Sequence, residues 1–118
     1  MTPDRVFVYG SLRKGASNHW RVESATFVRD QTITGTLLII DWYPGLILYG
    51  ETEVKGEVYE VSPELLKELD HFEGIVQSGE YQRVMIDEMW IYEWQNGSEG
   101  YEVVSSGDWL EDQRSDST

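Results

Sequence analysis

A strand that ends at a Gly-Ser turn opens the sequence and is the first place where chemistry is expected. The stretch VFVYGSLRKG is apolar and β-favouring up to Tyr9, and the turn Gly10–Leu12 then interrupts it. Consecutive backbone N–H groups in such a turn can converge on one point and bind an anion. Of the nine basic residues, three lie close to this turn: Arg13, Lys14 and Arg21. This concentration of positive charge suits a carboxylate ligand, but the fragment by itself favours a plain turn with solvated basic side chains, because Gly-Ser turns are common.

Glu73 is the acidic residue with the most unusual position. It follows Phe72 at the end of the strongest helical pattern, residues 62–73, and precedes Gly74. The negative end of the helix dipole and burial beside Phe72 would both raise the pKa of a carboxyl group there. Such a group can accept and return a proton near neutral pH. By position alone, a solvated Glu73 at a fraying helix end is the favoured interpretation, and Asp70 is an equally good candidate for proton transfer.

Tyr81 and Arg83 form a second candidate pair, because residues two apart on a strand point to one face. An arginine there can pair with a buried carboxylate or with the carboxylate of a substrate. A surface cross-strand pair is the alternative interpretation.

Other kinds of site have little support. The two histidines, His19 and His71, have no cysteine or HxxxH partner, so a metal site is not expected. Ser11 lacks the GxSxG pattern of a hydrolase nucleophile. The glycines form neither a GxGxxG nor a Walker motif, so nucleotide binding is not expected.

Composition limits the class of protein. The chain has 118 residues, enough for one domain, and a net charge of −13. This charge argues against nucleic acid and against anionic membranes as partners. The sequence has no cysteine and no apolar run of about 18 residues, and its start does not read as a secretory signal. We expect a soluble cytoplasmic protein.

The elements that position the candidate residues are short strands and one helix. The Ser62-Pro63 start and the leucine spacing predict the helix over residues 62–73. The β-rich stretches lie at residues 6–9, 35–41, 46–49, 54–61, 81–93 and 101–104, and a short helix or turn is expected over residues 17–25. The turn at Gln95–Gly100 should return residues 101–104 to pair with the preceding strand. The pattern predicts one α+β domain over residues 1–109 and a flexible, acidic tail over residues 110–118.

The order of the motifs resembles the gamma-glutamylcyclotransferase-like family. VFVYGSLRKG, VKGEVYEV, LDHFEG, YQR and SSGDW occur in that order over nearly the whole chain. The resemblance is to the small single-domain branch that includes gamma-glutamylamine cyclotransferases. It implies a small, strongly curved mixed β-barrel with a few helices packed outside it. It also implies a reaction without metal or organic cofactor, in which a γ-glutamyl unit closes to 5-oxoproline and releases an amine or amino acid.

The resemblance also assigns roles to residues. It implies that Glu73 is the general acid and base. It implies that substrate contacts come from six residues: Tyr9, Gly10, Ser11, Leu12, Tyr81 and Arg83. Arg13 would lie at the rim of the pocket. A non-catalytic binding domain on the same fold, and a hydrolase using Ser11 as nucleophile, are the alternative functions.

Overall fold

The computed structural model describes residues 4–16, 18–72 and 80–115, with side chains described as far as residue 112. Within these ranges the chain forms six strands, two α-helices and a short 3-10 helix. The strands are β1 (Asp4–Val8), β2 (Thr26–Ile39), β3 (Pro44–Val61), β4 (Tyr81–Ile86), β5 (Met89–Trp94) and β6 (Glu102–Val103). The helices are α1 (Pro63–Phe72) and α2 (Trp109–Ser115), and the 3-10 helix covers His19–Val22.

All six strands belong to one mixed sheet, in the order β4-β5-β1-β3-β2-β6. The second half of β3 is antiparallel to β1, whereas its start pairs in parallel with β5, where Leu46 lies opposite Glu93. Because β3 pairs with both β1 and β5, and β1 also pairs with β5, the sheet curls around β1 into a half-barrel. The predicted α+β fold with a strongly curved mixed sheet is confirmed.

The two central strands are longer than the sequence pattern indicates. β2 begins at Thr26 rather than near Gly35. The sequence pattern missed the first half of this strand because that half is largely exposed and shows no apolar alternation. β3 is one strand where two were expected. Gly35 lies opposite Thr52 while the next residue, Thr36, lies opposite Ile47, so residues 48–51 bulge out of the pairing.

Helix α1 forms as its sequence predicts. The Ser62 hydroxyl accepts a hydrogen bond from the N–H of Leu65 at 3.1 Å, which caps the first turn. Leu66 and Leu69 are buried against the sheet, and the helix ends at Phe72. The last residue of helix α1, Phe72, directly precedes Glu73 in the sequence. Glu73 itself lies outside the described residues.

One expectation about the C-terminal third is corrected: β6 pairs with β2, with Leu38 opposite Val103, and does not return to β5. The hairpin expected at the turn Gln95–Gly100 is therefore not formed with β5. A hairpin connects β4 and β5 instead, where Asp87 and Glu88 both have positive φ angles as a type I′ turn requires.

Helix α2 begins at Trp109, which is buried in the core, and extends to Ser115 within the expected tail. The flexibility expected for residues 110–118 stays a prediction.

Close backbone approaches explain the glycine inside β3. A Cβ on Gly56 would overlap the backbone carbonyl oxygen of Val8 and lie 2.7 Å from the ring of Phe7. No helix among the described residues has the length and apolar character needed to cross a membrane.

Candidate functional site

A cavity of about 200 Å³ opens where the turn after β1 faces the start of β3 and the start of β4. Aromatic residues form most of its wall, and polar groups come from the turn and from the chain before β4. The lining residues are Phe7, Val8, Tyr9, Gly10, Ser11, Leu12, Trp42, Tyr43, Pro44, Phe72, Glu80, Tyr81 and Tyr92. Five of the six predicted substrate-binding residues are therefore brought together at one cavity: Tyr9, Gly10, Ser11, Leu12 and Tyr81.

The backbone carbonyl groups of the turn are all hydrogen-bonded, whereas two of its N–H groups are not bonded within the part of the chain that the structure describes. The carbonyl oxygens of Gly10, Ser11 and Leu12 accept hydrogen bonds from Arg13 N (3.0 Å), Asn18 N (2.8 Å) and His19 Nδ1 (2.9 Å), respectively. In a trans peptide the N–H points away from the C=O of the preceding residue. The N–H groups of Ser11 and Leu12, and the Ser11 hydroxyl, find no hydrogen-bond partner among the described residues. The turn therefore has hydrogen-bond donors that are not used within the described part of the chain, and the predicted binding of an anion there stays a prediction.

Gly10 is needed for space rather than for an unusual backbone angle. Its φ is not positive, whereas a Cβ at this position would lie 2.6 Å from Cδ of Pro44. Glycine is therefore required here by this close approach and not by the conformational freedom that glycine gives to many turns. The turn and the start of β3 are packed directly against each other.

Two tyrosine hydroxyl groups fix the cavity wall. Tyr81 donates a hydrogen bond to the carbonyl of Pro44 at 2.7 Å. The Tyr9 hydroxyl donates to the carbonyl of Tyr92 and accepts from the N–H of Leu46 at 3.3 Å. Both hydroxyl groups are therefore engaged in holding neighbouring strands, and both rings remain in the wall.

Glu73 lies outside the described residues, so its predicted role is not tested by the geometry. The residues that flank this stretch are described: Phe72 before it and Glu80 after it both line the cavity.

Arg83 is not among the residues that line the cavity. Its Nη1 lies 3.0 Å from Oδ2 of Asp70, and its guanidinium group stacks on Trp90 at 4.4 Å. Asp70 also accepts a hydrogen bond from the Tyr92 hydroxyl at 2.8 Å. Arg83 therefore pairs with a protein carboxylate, one of the two possibilities that the sequence left open.

The three basic residues near the turn have three different environments. The Arg13 side chain is 12% exposed and is bonded to Glu57 and Asp108, whereas the Lys14 side chain is exposed. Arg21 stacks on the rings of Trp20 and Phe72, with Cζ 4.3 and 4.2 Å from their centroids. None of the three lines the cavity, so they do not form the cationic carboxylate site that the sequence suggests.

Two ionisable groups beside the turn have shifted pKa values. Burial, followed by the charge of Glu57, raises the pKa of Tyr59 to about 12. Burial works to raise the pKa of Asp108, but the backbone hydrogen bond from Glu111 and the charge of Arg13 outweigh it and hold that pKa below its usual value. Among the described residues, no group of three or more His, Asp or Glu side chains could hold a metal ion.

Some lining residues were missed by sequence reasoning. Trp42, Tyr43 and Pro44 were interpreted only as a turn, and Tyr92 only as part of a strand. These residues reach the cavity because β3 curls to meet β5, a long-range pairing that the local pattern does not encode.

Comparison with known proteins agrees with this architecture. The family model described as gamma-glutamyl cyclotransferase, AIG2-like, matches residues 6–111. Gamma-glutamylcyclotransferase family protein YtfP of Escherichia coli (strain K12) is 37% identical over 113 residues, covering 91% of this chain and 96% of that protein. The crystal structure of PH0828 from Pyrococcus horikoshii superimposes with a TM-score of 0.79 at 29% identity, covering 96% and 95% of the two chains.

A third relative matches over a shorter region. Gamma-L-glutamyl-butirosin B gamma-glutamyl cyclotransferase of Niallia circulans is 46% identical over 70 residues, covering 58% of this chain and 44% of that protein. The family model alone covers most of the chain, including the turn after β1 and the start of α2. The chain therefore belongs to the gamma-glutamyl cyclotransferase, AIG2-like family.

Proposed function

We propose that this protein is a cofactor-free γ-glutamyl cyclotransferase. It would convert a γ-glutamyl amine or γ-glutamyl amino acid into 5-oxoproline and the free amine or amino acid. The observation that carries the proposal is the meeting of a donor-rich turn, Gly10–Leu12, with the end of helix α1 at one cavity. In this family member, Glu73 directly follows Phe72, which lines that cavity.

The reaction needs no second reactant. The α-nitrogen of the γ-glutamyl unit attacks its own γ-carbonyl carbon, a new C–N bond closes the five-membered ring, and the bond to the leaving nitrogen breaks. The proton lost by the attacking nitrogen is balanced by the proton gained by the leaving amine. Because the reacting groups are in one molecule, holding the substrate in its bent conformation removes much of the entropic barrier.

The turn supplies the stabilisation of negative charge. The N–H groups of Ser11 and Leu12 and the Ser11 hydroxyl are donors without a described partner, and the turn lines the cavity. They would bind a substrate oxygen, either the α-carboxylate or the oxyanion that forms during attack. Fixed donors in a largely aromatic cavity act more strongly than donors in water, because the local dielectric constant is low.

Glu73 would move the proton. It would accept a proton from the attacking ammonium group and deliver one to the leaving amine, so one carboxyl group serves both steps. Asp70, the competing candidate by position, accepts hydrogen bonds from Tyr92 and Arg83. Both contacts hold the Asp70 carboxylate against neighbouring side chains, which suits a structural role better than the role of a proton carrier.

Tyr81 and Arg83 would have different roles. The Tyr81 ring lines the cavity and would contact the substrate. Arg83 holds Asp70, which lies in the last turn of α1 just ahead of Glu73. Its pairing favours a supporting role at the end of that helix over direct contact with substrate.

The test is a panel of γ-glutamyl amino acids, γ-glutamyl-ε-lysine, other γ-glutamyl amines and glutathione, with release of 5-oxoproline as the readout. We expect release from at least one substrate and a loss of kcat of about 10²- to 10⁴-fold in Glu73→Gln, because a general acid and base is removed. Glu68→Gln, on the exposed part of α1, is the matched control and should retain activity.

Other outcomes separate the alternatives. Equal release from Glu73→Gln and wild type would exclude the role given to Glu73. No release from any substrate would favour a non-catalytic binding domain. Loss of activity in Ser11→Ala together with a covalent serine adduct, and no loss in Glu73→Gln, would favour a serine nucleophile.

A further inference from the structure

The turn after β1 is closed at its base by one buried carboxylate. Val8, the last residue of β1, lies opposite Glu57 in β3. On the far side of the turn, Oε2 of Glu57 accepts a hydrogen bond from Arg13 Nε at 2.7 Å, and Oε1 accepts one from Lys14 N at 2.8 Å. Glu57 therefore holds both ends of the turn, and its side chain is only 6% exposed.

Arg13 extends this contact to the C-terminal part of the chain. Its Nη1 lies 2.9 Å from Oδ1 of Asp108, so one guanidinium group joins carboxylates from β3 and from the residue before α2. The same oxygen of Asp108 accepts hydrogen bonds from the N–H groups of Leu110 (3.1 Å) and Glu111 (3.2 Å). Asp108 is thus both the N-cap of α2 and a partner of the residue that follows the turn.

We propose that Arg13 and Asp108 are positioning residues that set the location of the donor groups of Ser11 and Leu12, so that the start of α2 controls substrate binding at the turn. The proposal rests on the function proposed above for its catalytic consequence. Neither Arg13 nor Asp108 lines the cavity, so both act through the turn rather than on the substrate.

Stability alone is a weak reason for such a cluster. Three charged side chains, Arg13, Glu57 and Asp108, are each at most 15% exposed. Removing charges from water costs several kcal/mol for each ion, and well-packed apolar replacements are often as stable as a buried ion pair. The cluster instead fixes the position of the turn relative to β3 and to the start of α2. Arg13 does this because its planar guanidinium group donates to Glu57 through Nε and to Asp108 through Nη1.

The decisive variant is Asp108→Ser. Serine is a good N-cap, so α2 keeps its first-turn hydrogen bonds, but the shorter side chain cannot reach Arg13. Arg13→Lys is the second variant, because a single ammonium group does not reproduce the two-directional contact. Lys14→Gln is the matched control, since the exposed Lys14 side chain is changed while its backbone N–H to Glu57 remains.

Two readouts are measured well below the melting temperature of each variant. The first is kcat/KM for 5-oxoproline release, for which we expect a fall of about tenfold or more in Asp108→Ser and Arg13→Lys, since small displacements of binding groups cost up to about 10²-fold. The second is the ¹⁵N heteronuclear NOE of the Gly10, Ser11 and Leu12 amides, which we expect to drop in both variants. The double variant should lose no more than the worse single variant, because both remove one interaction.

Each outcome decides the proposal. Unchanged kcat/KM in Asp108→Ser, with or without a lower melting temperature, would overturn the positioning role, as would unchanged amide NOE values at the turn. If wild type releases no 5-oxoproline from any substrate, the proposed function fails, and the NOE values alone then decide whether Asp108 and Arg13 hold the turn. If Asp108→Ser does not fold, Arg13→Lys supplies the same two readouts.

Discussion

The hydroxyl group of Tyr9 is predicted to stabilise the site from within the protein rather than through the substrate. Tyr9 is buried, and its hydroxyl joins the carbonyl of Tyr92 in β5 to the N–H of Leu46 in β3. In Tyr9→Phe both backbone groups lose this partner. A buried polar group without its partner costs about 1–3 kcal/mol, and since the Leu46 contact is long at 3.3 Å, we expect a total loss of about 2 kcal/mol.

The assay is thermal unfolding followed by circular dichroism. With an unfolding entropy of about 2.1 cal/mol/K per residue, the 118 residues give about 0.25 kcal/mol/K, so 2 kcal/mol corresponds to a decrease in Tm of about 8 °C. Tyr49→Phe removes the same atom from a side chain that is 85% exposed and should change Tm very little. Equal Tm values for the two variants would refute the reasoning, because the buried hydroxyl would then contribute no more than a solvated one.

Two further predictions concern the surroundings of the turn. Gly10→Ala should lose about 1–3 kcal/mol of stability, because the new methyl group overlaps the Pro44 ring; chemical denaturation measures this, and Pro44→Ala in the same chain should restore part of the loss. Tyr59, whose pKa is raised to about 12 beside Glu57, should contribute stability that is present below pH 10 and lost as the pH rises through about 12. The alkaline loss of stability should therefore be less steep in Tyr59→Phe, and identical pH profiles would contradict this account.

Local sequence signals predicted the elements whose causes are local. Ser62, Pro63 and the leucine spacing are enough to specify α1, because capping and amphipathic periodicity act within a few residues. The turn after β1 was also predicted, since Gly10 and Ser11 interrupt an apolar run. The binding of an anion at this turn, which its backbone N–H groups also suggested from sequence, stays a prediction.

The parts that the sequence did not predict depend on long-range pairing. β6 pairs with β2 rather than with its neighbour in the chain, and the choice depends on which sheet edge is free. Similarly, the sequence could not decide whether Arg83 would bind Asp70 or a substrate, because both are carboxylates and only the fold sets the distance. Helix α2 was missed because only its first two residues, Trp109 and Leu110, are apolar, so the sequence shows no apolar stripe. These two residues pack on the core, and Asp108 caps the first turn.

The cavity keeps its shape because its walls bind one another. Pro44 packs on Gly10 from one side, and its carbonyl accepts the hydrogen bond of Tyr81 from another. The Tyr9 hydroxyl connects β3 and β5 behind this wall through its hydrogen bonds to Leu46 and Tyr92. A substrate held in such a wall meets donors whose positions are set before it arrives, and preorganised donors stabilise developing charge without reorganising during the reaction. The intramolecular ring closure proposed above would gain from this arrangement, because holding the substrate in its bent conformation removes much of the entropic barrier.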